Sequence, residues 1–238
     1  MAFILHIETS TPTCSVAISE KSEILSVRES HVDKSHAELL AVFIQELFEE
    51  TGINPNNLNA VSVSKGPGSY TGLRIGVSTA KGLVYGLNIP LISVNTLEAM
   101  AWGMLNSEEL KSIEQPDNNN FLCPMIDARR MEVYTALFNS ELKVLSKTSA
   151  LIIDNESFKD WLDLGKICFF GNGAFKCKGT IHHKNAIFMS EFNNSSRYMA
   201  DLAFKSFEAK DFEDVAYFDP YYLKDFIPTI PKNKIIRP

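Results

Sequence analysis

Along the first thirty residues the apolar and polar positions follow strand periods. Phe3-Ile4-Leu5-His6-Ile7 is an almost unbroken apolar run, as in a central strand covered on both faces. Cys14-Ser15-Val16-Ala17-Ile18-Ser19 alternates, and Ile24-Leu25-Ser26-Val27 follows across the polar turn Glu20-Lys21-Ser22-Glu23. The period then lengthens. Ser35, with Glu38 three residues on, forms a capping box for a helix over about 36–51 that stops at Gly52. Residues 60–64 read as a strand, 70–86 as a helix and 91–94 as a strand, after which Thr96 caps a helix to Leu105.

The polar stretch 106–120 reads as a loop between halves, and the pattern then restarts. Residues 122–126, 133–138, 143–151 and 167–171 read as strands, and Ser196 opens a helix to about Glu208. Three antiparallel strands followed by helix, strand, helix and strand is the order of a ribonuclease-H-like mixed sheet covered by helices. The second half echoes it without a visible sequence repeat. The expected fold is α/β, with two ribonuclease-H-like lobes over 1–105 and 106–225. The late helix is able to pack back on the first lobe, and a proline-bearing tail over 226–238 is expected to be irregular.

Composition narrows the function. The 238 residues are 45% apolar and 22% charged, ordinary for a globular chain. No apolar run reaches the ~20 residues that cross a bilayer, and the first residues lack the basic stretch of a signal peptide. Cys14, Cys123, Cys168 and Cys177 form no C-x-x-C pair, which suits buried thiols in a reducing cytoplasm. A net charge of −6 excludes a protein that grips nucleic acid by its overall field. The best basic candidate for direct contact with RNA is the tail, with Lys224, Lys232, Lys234 and Arg237.

The run Ser64-Lys65-Gly66-Pro67-Gly68-Ser69-Tyr70-Thr71-Gly72-Leu73-Arg74-Ile75-Gly76 joins a strand to a helix through a glycine-rich turn, where free N–H groups would attract an anion. It is not a Walker A loop, because no Gly-Lys-Ser/Thr follows. Its G-x-G-x-x-x-G spacing loosely resembles the dinucleotide fingerprint, but the next strand ends at Asn95 and Thr96 rather than at an acid.

The eleven residues from Gly66 to Gly76 resemble the TsaB (YeaZ) family, whose pattern there is G-P-G-S-[FY]-T-G-L-R-I-G. Ile7-Glu8-Thr9-Ser10 with Cys14-Ser15-Val16-Ala17 resembles its first strand, loop and second strand. Asp127-Ala128-Arg129-Arg130-Met131-Glu132-Val133-Tyr134 resembles its D-A-R-R-x-E-[VI]-Y signature. Pro220-Tyr221-Tyr222-Leu223-Lys224 is similar to its P-x-Y-[LVI]-R ending, with Lys224 in place of an arginine that could form a planar fork. The resemblance is close over residues 1–105 and rests on two short signatures beyond. It implies the fold of the actin, Hsp70 and sugar-kinase superfamily. It also implies a non-catalytic subunit beside TsaD, the catalytic paralogue, and TsaE, the ATPase, in making N6-threonylcarbamoyladenosine on tRNA. Such a chain forms homodimers, exchanges into a heterodimer with TsaD, and meets tRNA through the complex.

Actin-like ATPases cradle phosphates in loops that begin D-x-G. The equivalents here, Glu8-Thr9-Ser10-Thr11-Pro12-Thr13 and Asp127-Ala128-Arg129-Arg130, hold no glycine. No nucleotide is therefore expected to bind strongly to the chain alone, and ATP or ADP enters only in the complex. No metal is expected either: His31 and His36 are five residues apart, about 140° round a helix. The resemblance marks Glu8, Thr9, Ser10, Gly66, Gly68, Ser69, Thr71, Asp127, Arg129, Arg130 and Glu132 as signature residues on the phosphate side. Arg129, Arg130 and Glu132 read either as a solvated hairpin rim or as an ion-pair cluster, with Arg74 contributing, that holds lobes or a partner.

On the helix over 36–51, Leu39, Leu40, Ala41, Phe43, Ile44, Leu47 and Phe48 span about 200°, more than one core contact needs. Gly72, Gly76 and Ala80 make a smooth stripe at i, i+4 and i+8 of the next helix. The expected partner interface is therefore Leu40, Phe43, Ile44, Leu47, Gly72, Arg74, Gly76 and Ala80. The alternative is that the stripe packs only on its own sheet. Two other functions stay open: a stand-alone ATP-dependent kinase or transferase, and a peptidase, for which no serine, cysteine or metal constellation is visible.

Overall fold

A computed structural model describes residues 1–32, 36–112, 120–189 and 192–224. Strands β1 (Phe3–Glu8), β2 (Cys14–Glu20) and β3 (Glu23–Ser30) precede helix α1 (His36–Thr51). Then come β4 (Leu58–Gly66), α2 (Tyr70–Leu87), β5 (Leu91–Asn95), α3 (Thr96–Leu105) and a short α4 (Glu108–Ser112). The second half holds β6 (Phe121–Asp127), β7 (Glu132–Phe138), β8 (Val144–Ile152), α5 (Lys159–Leu164), β9 (Ile167–Phe170), α6 (Ala174–Cys177), β10 (Ala186–Phe188) and α7 (Ala200–Ala209). A 3-10 turn, Ser196–Met199, leads into α7.

The first sheet has the order β3-β2-β1-β4-β5, antiparallel at β1–β2 and β2–β3 and parallel at β1–β4 and β4–β5. The second has the order β8-β7-β6-β9-β10 with the same senses, so the two lobes share one topology. β1 is central and alternates cleanly. Leu5 and Ile7 face α1 and α2, with Leu40, Ile44, Leu47, Val77, Ala80 and Val84. Ile4 faces the other way and meets Ile92, Val94, Ala99, Met199 and Ala203, so α7 closes the first sheet although it follows the second in sequence.

α3 is the wedge between sheets. Ala99 belongs to the first core, while Leu97, Met100, Ala101 and Met104 pack on Leu122, Ile126, Phe138 and Phe170 of the second. A helix apolar on most sides is one buried on most sides, and here only Glu98, Trp102 and Leu105 stay half-buried. At about 1.5–3 kcal/mol per large apolar side chain removed from water, this helix alone couples the lobes strongly.

The expected element order holds, with local differences. The α3 cap is Asn95, whose Oδ1 accepts from the N–H groups of Leu97 and Glu98. Thr96 is the first helical residue instead, its hydroxyl buried without a partner among the described residues. Within the expected loop over 106–120 the chain forms α4, and α5, α6 and β10 were not expected. Each spans six residues or fewer, too short for a period to register. The Ser35 cap and the tail beyond residue 224 lie outside the described residues. All four cysteines are buried. No helix among the described residues is long and apolar enough to cross a membrane.

Candidate functional site

The parallel pairing of β1 with β4, with Ile7 opposite Val63, brings the C-terminal ends of both strands together. Glu8 is consequently beside Ser64, whose hydroxyl donates to Glu8 Oε1 at 3.0 Å; the Ser10 N–H donates to the same oxygen at 2.6 Å. Glu8 Oε2 is buried with no partner among the described residues. Burial raises the Glu8 carboxyl above its ordinary value, against the pull of its hydrogen bonds with Ser10 and Ser64.

The glycine-rich turn presses on this loop. The Ser69 N–H donates to the Ser10 carbonyl at 2.6 Å, and a Cβ on Gly68 would sit 2.3 Å from that same oxygen. The Thr9 hydroxyl donates to the Gly72 carbonyl at 2.8 Å, and a Cβ on Gly72 would lie 2.1 Å from the Thr9 carbonyl oxygen. A Cβ on Gly76 would lie 2.3 Å from Thr9 Oγ1. Ser69 caps α2, its Oγ accepting from the Gly72 N–H at 3.2 Å, and Thr71 is exposed on the first turn. The close backbone approaches that these glycines permit are thus taken up by residues 9–10 of the same chain.

These contacts correct the expected interface. Gly72, Gly76 and Ala80 face inward, because the smooth stripe accommodates the chain's own loop and sheet. Leu40, Ile44 and Leu47 are buried in that core, and Phe43 packs against it. The apolar surplus on α1 lies elsewhere. Ala41, Ile44, Gln45, Phe48 and Glu49 of α1, with Pro55 and Thr79 and Leu83 of α2, line a groove of about 430 Å³. Exposed Val42 and Tyr85 stand on the same two helices, at 45% and 85% of full exposure.

The other signature residues converge through the C-terminal strap. The Tyr221 N–H donates to the Lys65 carbonyl at 2.7 Å, which lays residues 220–224 beside Gly66. The Tyr222 ring lies 4.8 Å from that of Tyr70, and Arg74, exposed, donates to the Tyr222 hydroxyl at 3.3 Å with its guanidinium 4.2 Å over Tyr70. Arg74 is therefore not part of an ion-pair cluster with Arg129 and Arg130. Two residues on, Lys224 pairs with Glu132 in the β6–β7 hairpin. Lys176 of α6 pairs with Asp127 at 2.5 Å and donates to the Glu132 carbonyl at 2.7 Å. The side chains of Arg129 and Arg130 are exposed and unpaired among the described residues.

A third polar group was not legible in the sequence. Asn194 donates to Ser10 Oγ at 3.3 Å, the Ser196 N–H donates to Ser15 Oγ at 2.9 Å, and Ser15 and Ser195 both donate to Glu29. Residues 194–196 are buried against the ends of β1 and β2 at Ser10 and Ser15. Gly171-Asn172-Gly173 after β9 carries no local pattern that marks it. A Cβ on Gly173 would lie 2.8 Å from the Ile126 carbonyl carbon, and Asn172 Oδ1 accepts from the Asp127 N–H. The available signal was its position after the fourth strand of the lobe, where the first lobe has Gly66-Pro67-Gly68. His6 is buried, with Nδ1 at 2.7 Å from Ser62 Oγ and Nε2 at 2.7 Å from Ser19 Oγ. Burial lowers its pKa to about 3. His36 reaches the Thr11 carbonyl and His31 the Thr13 hydroxyl. Among the described residues no three His, Cys, Asp or Glu are grouped to hold a metal ion.

A family model described as TsaD, tRNA N6-adenosine threonylcarbamoyltransferase, matches residues 24–233. The tRNA threonylcarbamoyladenosine biosynthesis protein TsaB of Bacillus subtilis is 32% identical over 163 residues, covering 68% of this chain and 66% of that protein. Its namesake in Haemophilus influenzae is 31% identical over 131 residues, covering 55% of this chain and 51% of that protein. The chain thus spans about half to two thirds of the length of these relatives. The structure of YeaZ from Pseudomonas aeruginosa superposes with a TM-score of 0.79 at 22% identity, over 94% of this chain and 100% of that one, and so shares the fold. The chain belongs to the TsaD family and, within it, to the TsaB (YeaZ) group, on an actin-like fold of two ribonuclease-H-like lobes.

Proposed function

We propose that the chain is a non-catalytic subunit that supports a TsaD-type transferase, with the ATPase TsaE, in forming N6-threonylcarbamoyladenosine on tRNA in the cytoplasm. The observation that carries this reading is the turn at Gly66–Gly76, the family's most specific stretch. Its glycines are spent on residues 9–10 of the same chain rather than on a ligand. The chain alone accordingly binds no nucleotide strongly, and ATP or ADP enters with the partners. The names of the Bacillus and Haemophilus relatives support the pathway.

The partner surface in this reading is the outer face of α1 and α2, around the groove at Ala41, Phe48, Thr79 and Leu83. An apolar face of this kind, open to solvent in a single chain, suits a homodimer and exchange into a heterodimer with the transferase. The experiment is reconstitution. Purified chain alone should neither modify tRNA nor turn over ATP, and modification should appear on adding TsaD, TsaE and threonylcarbamoyl-adenylate. Ala41→Arg, which alters an exposed position, should weaken both self-association and transferase binding in sedimentation runs while leaving circular dichroism unchanged. Steady ATP hydrolysis or modified tRNA from the chain alone would overturn the proposal.

A further inference from the structure

The chain carries a net charge of −6, yet residues 164–190 contain Lys166, Lys176, Lys178 and Lys184, two histidines and no acidic residue. This segment supplies β9, α6 and the loop into β10, all on the second lobe. Lys178, His182, His183 and Lys184 ring a shallow depression of about 420 Å³ floored by Ile181, Ala186 and Phe188. The floor is firm. Phe188 stacks on Phe169 at 5.0 Å, and Ile181 is buried. His183 is held by its neighbours, with Nδ1 accepting from the Asn185 N–H at 3.2 Å and Nε2 lying 3.4 Å from Asp163.

The β6–β7 hairpin adjoins this segment through Lys176. Its two acids are already matched, Asp127 by Lys176 and Glu132 by Lys224. Arg129 and Arg130 therefore remain as two uncompensated positive charges at the tip. Both have positive φ, 71° and 51°, a conformation that residues with side chains rarely adopt.

We propose that two basic sites of the second lobe, the Arg129–Arg130 turn beyond the C-terminal end of β6 and the Lys178–Lys184 depression that runs down to the start of β10, bind the phosphodiester backbone of RNA. Guanidinium forks match phosphate oxygens bidentately, and lysines add point charges. The apolar floor offers a platform for a ribose or an unstacked base. Such contacts fix position and carry little sequence information. The overall negative charge keeps the interaction weak and salt-sensitive in the isolated chain. Choosing tRNA as the RNA rests on the function proposed above.

The test uses the full chain and an unmodified tRNA transcript, with fluorescence polarisation from 50 mM salt upward. Arg129→Gln/Arg130→Gln and Lys178→Gln/Lys184→Gln should each weaken binding at least about fivefold. Each pair should also reduce the slope of log K against log[salt] by about 1.4–1.8, two contacts at about 0.7–0.9 each. Lys21→Gln, on the β2–β3 turn, serves as the control and should change neither. Absence of binding at 50 mM salt, or double variants indistinguishable from the control, would overturn the proposal. Millimolar AMP and inorganic phosphate form a separate arm. If either displaced the transcript at stoichiometric occupancy, the depression would be a small-molecule pocket and the RNA reading would fall. Co-elution with the transferase is scored on the same variants, so a failure of assembly counts against the proposed function and leaves the RNA measurement intact.

Discussion

One helix contains its own controlled experiment. Gly72, Gly76 and Gly82 all lie on α2, but a methyl group at each meets a different environment. At Gly82 nothing lies within 4 Å, so Gly82→Ala should stabilise the fold by the helix-propensity difference, about 1 kcal/mol. At Gly76 the new carbon would sit 2.3 Å from Thr9 Oγ1, and the side chain can rotate away only by giving up its bond to the Gly72 carbonyl. That bond is worth about 1 kcal/mol, so Gly76→Ala should come out near neutral or slightly destabilising. At Gly72 the obstacle is the Thr9 carbonyl oxygen at 2.1 Å, which is main chain and cannot rotate away. The helix and the loop must separate, at a typical overpacking cost of about 1–3 kcal/mol, which exceeds the propensity gain across most of that range. The expected order of stability is Gly82→Ala, then wild type with Gly76→Ala, then Gly72→Ala. Thermal unfolding followed by circular dichroism should resolve it, since about 1 kcal/mol corresponds to about 2–4 °C for a chain of this size. If Gly72→Ala proved as stable as Gly82→Ala while self-association fell, the stripe would face a partner and the inward placement would be wrong.

Two buried titratable groups predict opposite pH dependences. His6 has a folded pKa near 3 against about 6.5 unfolded, so below pH 6.5 the unfolded chain takes up a proton that the folded one refuses. Stability should fall by up to about 1.4 kcal/mol per pH unit as pH drops from 6.5 toward 3, and urea titrations should show that slope flattened in His6→Gln. Glu8 is raised, so the folded chain holds its proton longer, and its contribution is present below the unfolded pKa and lost as pH rises through the folded value. Glu8→Gln keeps an acceptor for Ser10 and Ser64 and removes the buried charge. Its stability relative to wild type should rise as pH climbs above the unfolded carboxylate value of about 4.5, and a pH-independent difference would refute the account.

The topology of both lobes was readable because long strands and helices carry strong periods, as in Phe3–Glu8 and Tyr70–Leu87. The direction of a helix face was not. The arc on α1 pointed to two partners for that helix, but the sequence could not say which apolar residues faced the sheet, and Leu40, Ile44 and Leu47 proved to be core. The glycines of α2 were recognised as a place of close approach, yet what approached was the loop at Thr9, 63 residues earlier than Gly72. Long-range pairs of that kind leave no mark on local pattern. The same holds for Asn194 with Ser10 and for Lys224 with Glu132, each joining segments too far apart in sequence for any window to span.

Because α7 and the Ser196–Met199 turn cover Ile4, Ala60, Ile92 and Val94, the first sheet is finished by a segment synthesised about a hundred residues after its last strand. During translation much of one face of that sheet must wait, apolar and covered only by α3, while the second lobe is made. A ribosome-bound chain halted before residue 196 would therefore present a sticky surface to chaperones, and a truncation there would damage the lobe encoded first. Completion of the N-terminal lobe thus follows synthesis of the second lobe, which makes the integrity of α7 a quality check on both.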